Sequence, residues 1–121
     1  MGVNIKIDGL INAQRYIKNQ NTKKVSEIQH AIKNAGFLIQ AEVQESIAGK
    51  RAEPTSVDTG AFIRGVKAFF PKTFEAKIKP DVWYADVLEY GTSRRAPRRH
   101  FTNTAQRNAS KVKEIIEKAI R

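Results

Sequence analysis

The residues with the best claim to chemistry in this 121-residue chain are few, and none completes a catalytic set. Asp58 followed by Glu75-Ala76-Lys77 has the order of the acid plus E-x-K arrangement of metal-dependent nucleases. Glu75 and Lys77, two apart on a strand, would project from one face, as that chemistry requires. Alternating charge is also the default for the solvent face of a half-buried strand. No further acid stands out as a metal ligand, and Asp58 is accounted for as a local helix cap. Motifs this short match by chance, so the nuclease reading is set aside. His30 and His100 lack the carboxylate–histidine spacing of a metal site. His30 is expected on the surface of a long helix and His100 within a basic loop. Ser26, Ser46, Ser56, Ser93 and Ser110 stand in no G-x-S-x-G elbow, and a phosphate-cradling glycine loop is missing. The absence of cysteine excludes disulfides, thiolate metal sites and cysteine nucleophiles. The expectation is a protein with no enzymatic activity, cofactor or metal.

The chemistry that remains is that of arginine. Arg94, Arg95, Arg98 and Arg99 crowd the segment 92–100, Arg107, Lys111 and Lys113 follow, and no acid occurs between Tyr90 and Lys113. Lys plus Arg number 22 against 12 Asp plus Glu, a formal net charge of +10. Such a chain repels itself and attracts polyanions: nucleic acid, an anionic membrane, or acidic surfaces of neighbouring subunits. Guanidinium suits bidentate contact with phosphate or carboxylate. Sequence-specific readout of DNA would need a reading helix or stacking aromatics beside the charge. Tyr90 and Phe101 flank the loop but read as anchors that bury its ends. Nonspecific phosphate contact and a merely solvated charge run both stay open. Asp86 and Glu89, just before the arginines, can pair with that loop or a neighbour's, whereas Glu42 and Glu45 read as solvated surface.

The elements that must carry this loop follow from periodicity. Val3 to Ile7 alternates as a short strand, and Asp8 can start a helix with Leu10, Ile11 and Ile17 on its apolar side. Thr22 or Lys23 to about Ala48 is the clearest helix, with Val25, Ile28, Ile32, Ala35, Ile39 and Val43 as its stripe. Lys24, Glu27, Lys33, Gln40 and Gln44 face elsewhere. Gly36 within it implies a close packing or a bend. After the polar loop 49–56, Asp58 caps a short turn through Arg64 that Gly65 ends. Val66–Phe70 and Phe74–Lys79 form a hairpin around Pro71-Lys72-Thr73. Tyr84, Val87, Leu88 and Tyr90 lie on a short helix stopped by Gly91. A final helix from Phe101 or Thr102 to Ile120 has Ala105, Ala109, Val112, Ile115, Ile116 and Ala119 as its stripe. The pattern is α+β: a small antiparallel sheet packed on a long helix, with a C-terminal helix, in one domain over 1–121. Asn4, Lys6 and Asp8 interrupt any signal-peptide pattern, and no apolar run nears the ~20 residues of a spanning helix. The expectation is a soluble protein, cytoplasmic at synthesis, with no membrane partner.

The order Asp58-Thr59-Gly60, then Tyr84 to Ser93 (Y-A-D-V-L-E-Y-G-T-S), then Ala96 to Phe101 (A-P-R-R-H-F) resembles small neck proteins of long-tailed bacteriophages. These are the head–tail connector or tail-completion proteins, with D-T-G, a hairpin, Y-A-x-x-V-E-[FY]-G-T, P-x-R-P-F and a final helix. The likeness covers about Asp58 to Ile120. His100 stands where the family usually has proline, Thr104 where a second proline is common, Leu88 is inserted in the V-E step, and Ile63-Arg64-Gly65 replaces L-R-x-S. The resemblance implies a virion structural protein that forms a six- or twelvefold ring between portal and tail. Its partners would be copies of itself, neighbouring neck, head-closure and tail proteins, and packaged DNA in the lumen. Tyr84, Val87, Tyr90, Gly91 and Phe101 would anchor the loop, while Arg94, Arg95, Arg98, Arg99, His100 and Arg107 would meet another subunit or DNA.

Overall fold

The computed structural model describes residues 3–51, 60–82, 84–92 and 96–120. Strand β1 (Ile5–Asp8) leads into α1 (Leu10–Lys18) and the long α2 (Thr22–Ile47). A short α3 (Ala61–Gly65) precedes the hairpin β2 (Lys67–Lys72) and β3 (Glu75–Lys79), followed by α4 (Ala85–Tyr90) and α5 (His100–Ile120). The sheet is antiparallel in the order β1-β3-β2, so the α+β architecture expected from the pattern is the one observed.

α2, about 39 Å long at 1.5 Å per residue, is the spine. Its stripe works as the spacing predicts: Ile28, Ala35, Ile39, Val43 and Ile47 are each no more than 1% exposed. They pack against the inner face of the sheet, where Ile5 pairs with Ile78 and Ile7 with Ala76. Burying each of the Ile and Val side chains contributes about 1.5–3 kcal/mol. Gly36 is a close-packing glycine. A Cβ there would come within 3.1 Å of the Phe70 ring and 3.3 Å of the Ala76 Cβ. Gln40 and Gln44 do not face solvent alone. Gln40 Oε1 accepts from the Ala68 amide at 2.7 Å, and Gln44 Nε2 donates to the Ile63 carbonyl at 3.1 Å. The spine's polar flank therefore fixes β2 and α3 by supplying partners to their backbone groups.

The hairpin turns later than expected. β2 runs on to Lys72, and the turn is Thr73-Phe74. Between the pairs Phe69–Lys77 and Lys72–Glu75, Phe70 and Pro71 face the single residue Ala76. Such a bulge on an edge strand tolerates a proline, which has no amide to pair. Glu42 and Glu45, expected as solvated surface, instead clasp Arg51, with Arg51 Nε 3.0 Å from Glu42 Oε2 and Arg51 also bonded to Glu45. The hydrogen bond that Arg51 donates to Glu42, helped by the nearby carboxylate charge, pushes the Arg51 guanidinium further up from its ordinary range.

α5 packs along α2, and its seam is more polar than its stripe. Thr104 and Asn108 are buried, whereas Ala109 is exposed. Asn108 Nδ2 donates to the Thr104 carbonyl at 3.0 Å, so its buried amide stays paired. The far end of α5 is held by α1 and α2: Tyr16 donates to the Ile120 carbonyl at 3.1 Å, and Lys24 Nζ to the Ala119 carbonyl at 3.3 Å. An ammonium there also complements the negative end of the helix.

Candidate functional site

The basic segment is mounted between α4 and α5, and one carboxylate sets its geometry. Glu89, near the end of α4, is only 2% exposed. Its Oε1 accepts from the Phe101 amide at 2.8 Å and its Oε2 from the Thr102 amide at 2.7 Å. These amides belong to the first turn of α5 and have no partner within the helix. Glu89, expected to pair with the arginines, therefore serves as a cap supplied from another element. A negative group at that end also matches the helix dipole. Asp86 accepts from the Val3 amide at 3.2 Å and ties α4 to the residues just before β1.

Two expectations about the loop's anchors change. Val87 is 37% and Tyr90 61% exposed, so neither buries the base of the loop. On a helix of six residues, the inward face has room for Ala85, Leu88 and Glu89, which leaves Val87 and Tyr90 on the opposite side. Phe101 is buried in the aromatic cluster with Phe62 at a ring separation of 6.4 Å, and Tyr84 meets the same Phe62 edge-on at 5.9 Å. Gly91 ends α4 with φ 75°, a conformation that favours glycine.

His100 is also displaced from its expected role. It opens α5 and is fully buried, with Nδ1 sharing a 2.8 Å hydrogen bond with Ser46 Oγ on α2. Its ring sits edge-on to Phe62 at 6.0 Å. No exposed surface remains for it to offer a partner, so it belongs with Phe101 among the anchors. The stripe of α5 gave no sign of this, because a polar residue beside arginines reads as loop.

Among the described arginines, Arg99 and Arg107 fall on the outside and Arg98 is half-buried. The Arg98 amide donates to the Leu88 carbonyl at 2.7 Å, which holds the backbone just before the helix. Arg99 follows in the left-handed region at φ 54°, and its carbonyl accepts the first helical bond, from the Asn103 amide at 2.9 Å. Arg99, Arg107 and Lys111 are exposed, with Arg107 and Lys111 one turn apart. Arg107 and Lys111 make a cationic ridge over about 6 Å of α5, with Arg99 just before the helix at its foot. Further down the helix the charges alternate, with Lys118–Glu114 at 3.2 Å and Lys113–Glu117 at 3.9 Å. Arg94 and Arg95, like the expected cap Asp58, lie outside the described residues. The observed residue before α3 is Gly60, at φ 81°.

The residues of the E-x-K pattern do share the outer sheet face, but Glu75 is not solvated. It is 5% exposed beneath Lys6, Lys72 and Lys77, at 3.7, 3.9 and 4.0 Å. Among the described residues, no group of three or more His, Asp or Glu side chains is placed to hold a metal ion. Nor, among them, is any helix long and apolar enough to cross a membrane. No protein-family model, curated protein or solved structure matches the chain.

Proposed function

We propose that this chain is a non-enzymatic virion structural protein, one subunit of a six- or twelvefold ring in the head–tail joining region of a long-tailed phage. The observation that carries the reading is the mounted ridge. Its foot is fixed by Glu89, His100 and Phe101 within the fold, while Arg99, Arg107 and Lys111 project from it. A rigid mount loses little entropy when its charges engage a partner. Repeated around a ring, the ridge would meet an acidic surface on the next subunit or on a neck, head-closure or tail protein. The motif likeness through Tyr84–Ser93 and Ala96–Phe101 supports the same assignment. The protein would act in the virion neck, after assembly in the host cytoplasm.

The alternative is a basic protein whose loop contacts DNA phosphates nonspecifically, favoured by the lack of any acid between Tyr90 and Lys113. Replacing Arg94, Arg95, Arg98 and Arg99 together by Ser separates the two. The ring reading expects an unchanged fold by circular dichroism, loss of the complex with neck proteins by native mass spectrometry, and no infectious particles. Normal particles from that variant would overturn it. A loss confined to DNA binding, with a salt slope on duplex DNA shallower by about 3.6 for the four charges, would favour the alternative.

A further inference from the structure

The molecule has a second cationic surface, built differently from the ridge. The inner face of the sheet is covered by α2. The outer face carries Lys6 on β1, Lys77 and Lys79 on β3, and Lys67, Phe69 and Lys72 on β2. The register sets Lys6 beside Lys77, Lys77 beside Phe69, and Lys79 beside Lys67. Strands lie about 4.8 Å apart, and alternate residues about 6.7 Å apart along each strand. The result is a grid of ammonium groups with one aromatic ring inside it. Against these five lysines the three strands hold two acids, Asp8 and Glu75. Glu75 is shared among three of the lysines, so one carboxylate is spread over three cations. Phe69 is 45% exposed, and Lys79 Nζ stands 4.9 Å from its ring centroid.

We propose that this face binds single-stranded nucleic acid, with a base stacked on Phe69 and the phosphates on the surrounding lysines. Every base has a π-face, so such stacking works without regard to sequence, and lysines neutralise phosphates equally without it. Lys79, already over the ring, can turn to a phosphate as the base arrives. A duplex keeps its bases stacked on one another and cannot offer one to Phe69. An acidic protein would match the lysines but has no need of the ring's π-face. An anionic bilayer would gain little from a single ring set among lysines. The inference is independent of the ring assignment, because it uses neither the loop nor the motif likeness.

The test is fluorescence anisotropy with an oligothymidine of roughly 20 nucleotides, longer than the ~4–16 that a small domain covers. A duplex of equal length, polyglutamate, and vesicles of mixed phosphatidylserine and phosphatidylcholine serve as competitors. The oligothymidine is expected to bind more tightly than the duplex and to resist the other two competitors. Phe69→Ala should weaken it on the order of tenfold and Phe69→Trp should retain it. Lys67, Lys77 and Lys79 changed together to Gln should flatten the salt dependence by about 2 in slope. Arg98→Ser with Arg99→Ser should leave the Phe69 effect intact. Equal binding by wild type and Phe69→Ala would overturn the proposal, as would equal affinity for duplex. Displacement by polyglutamate or vesicles would instead assign the face to an acidic protein or a membrane. Should the lysine variant fail to fold, Phe69→Leu, which keeps the volume and removes the π-face, decides between the same outcomes.

Discussion

Arg99 is the residue where conformation and chemistry meet most sharply. At φ 54° it occupies a region that costs a side-chain-bearing residue roughly 1–2 kcal/mol, and its carbonyl still starts α5. Glycine has no such cost. Arg99→Gly should therefore raise the melting temperature by a few degrees, while Arg99→Ala leaves it nearly unchanged, as differential scanning calorimetry would register. A drop for Arg99→Gly would mean that the guanidinium's own contacts outweigh the strain. His100, the next residue, shows how one position reverses a role. The left-handed turn at Arg99 directs the following side chain inward, onto Ser46, instead of outward with the arginines.

At the scale of the element, α5 is held by charge at both ends. Glu89 receives its first amides and Lys24 donates near its last carbonyls. The two ends are not equal in weight, because Glu89 is buried and the Lys24 side chain is 22% exposed. Glu89→Ala leaves the buried Phe101 amide and the part-buried Thr102 amide unpaired and should cost about 1.5–3 kcal/mol in urea unfolding. Lys24→Ala should cost less than about 1 kcal/mol. Equal costs for the two would show that burial is not what gives the Glu89 cap its strength. A local consequence accompanies the first change: amide exchange should quicken at Phe101 and Thr102 before it does in the rest of α5.

At the scale of the whole molecule, the net charge is +10, and the ridge of α5 and the outer face of the sheet are two of the places where its cations gather. Self-repulsion of this kind is screened by salt, with a Debye length near 10 Å at 0.1 M. Melting temperature should rise by a few degrees between about 50 mM and about 500 mM sodium chloride, because the isolated surface ion pairs that salt weakens contribute little. A fall over that range would show that the Glu75 and Arg51 ion pairs outweigh the repulsion.

The spine was legible because its apolar spacing repeats through seven turns, so local sequence and burial agree at every step. The hairpin was legible for the same reason, with the turn displaced by a bulge that no local signal marks; the extent of α5 was legible too, but not its buried face, where Thr104 and Asn108 are buried and Ala109 is exposed. What periodicity could not supply was direction across space. Glu89 and His100 look like any polar residues beside a basic loop until α4 and α2 are brought against the start of α5. Lys6, Lys67, Lys77 and Phe69 are scattered over three segments until strand register makes them neighbours. Composition and spacing alone determined the α+β class and the excess of positive charge. Only tertiary packing decided which polar groups are buried as supports and which cations share a face, because both depend on contacts between segments far apart in the chain.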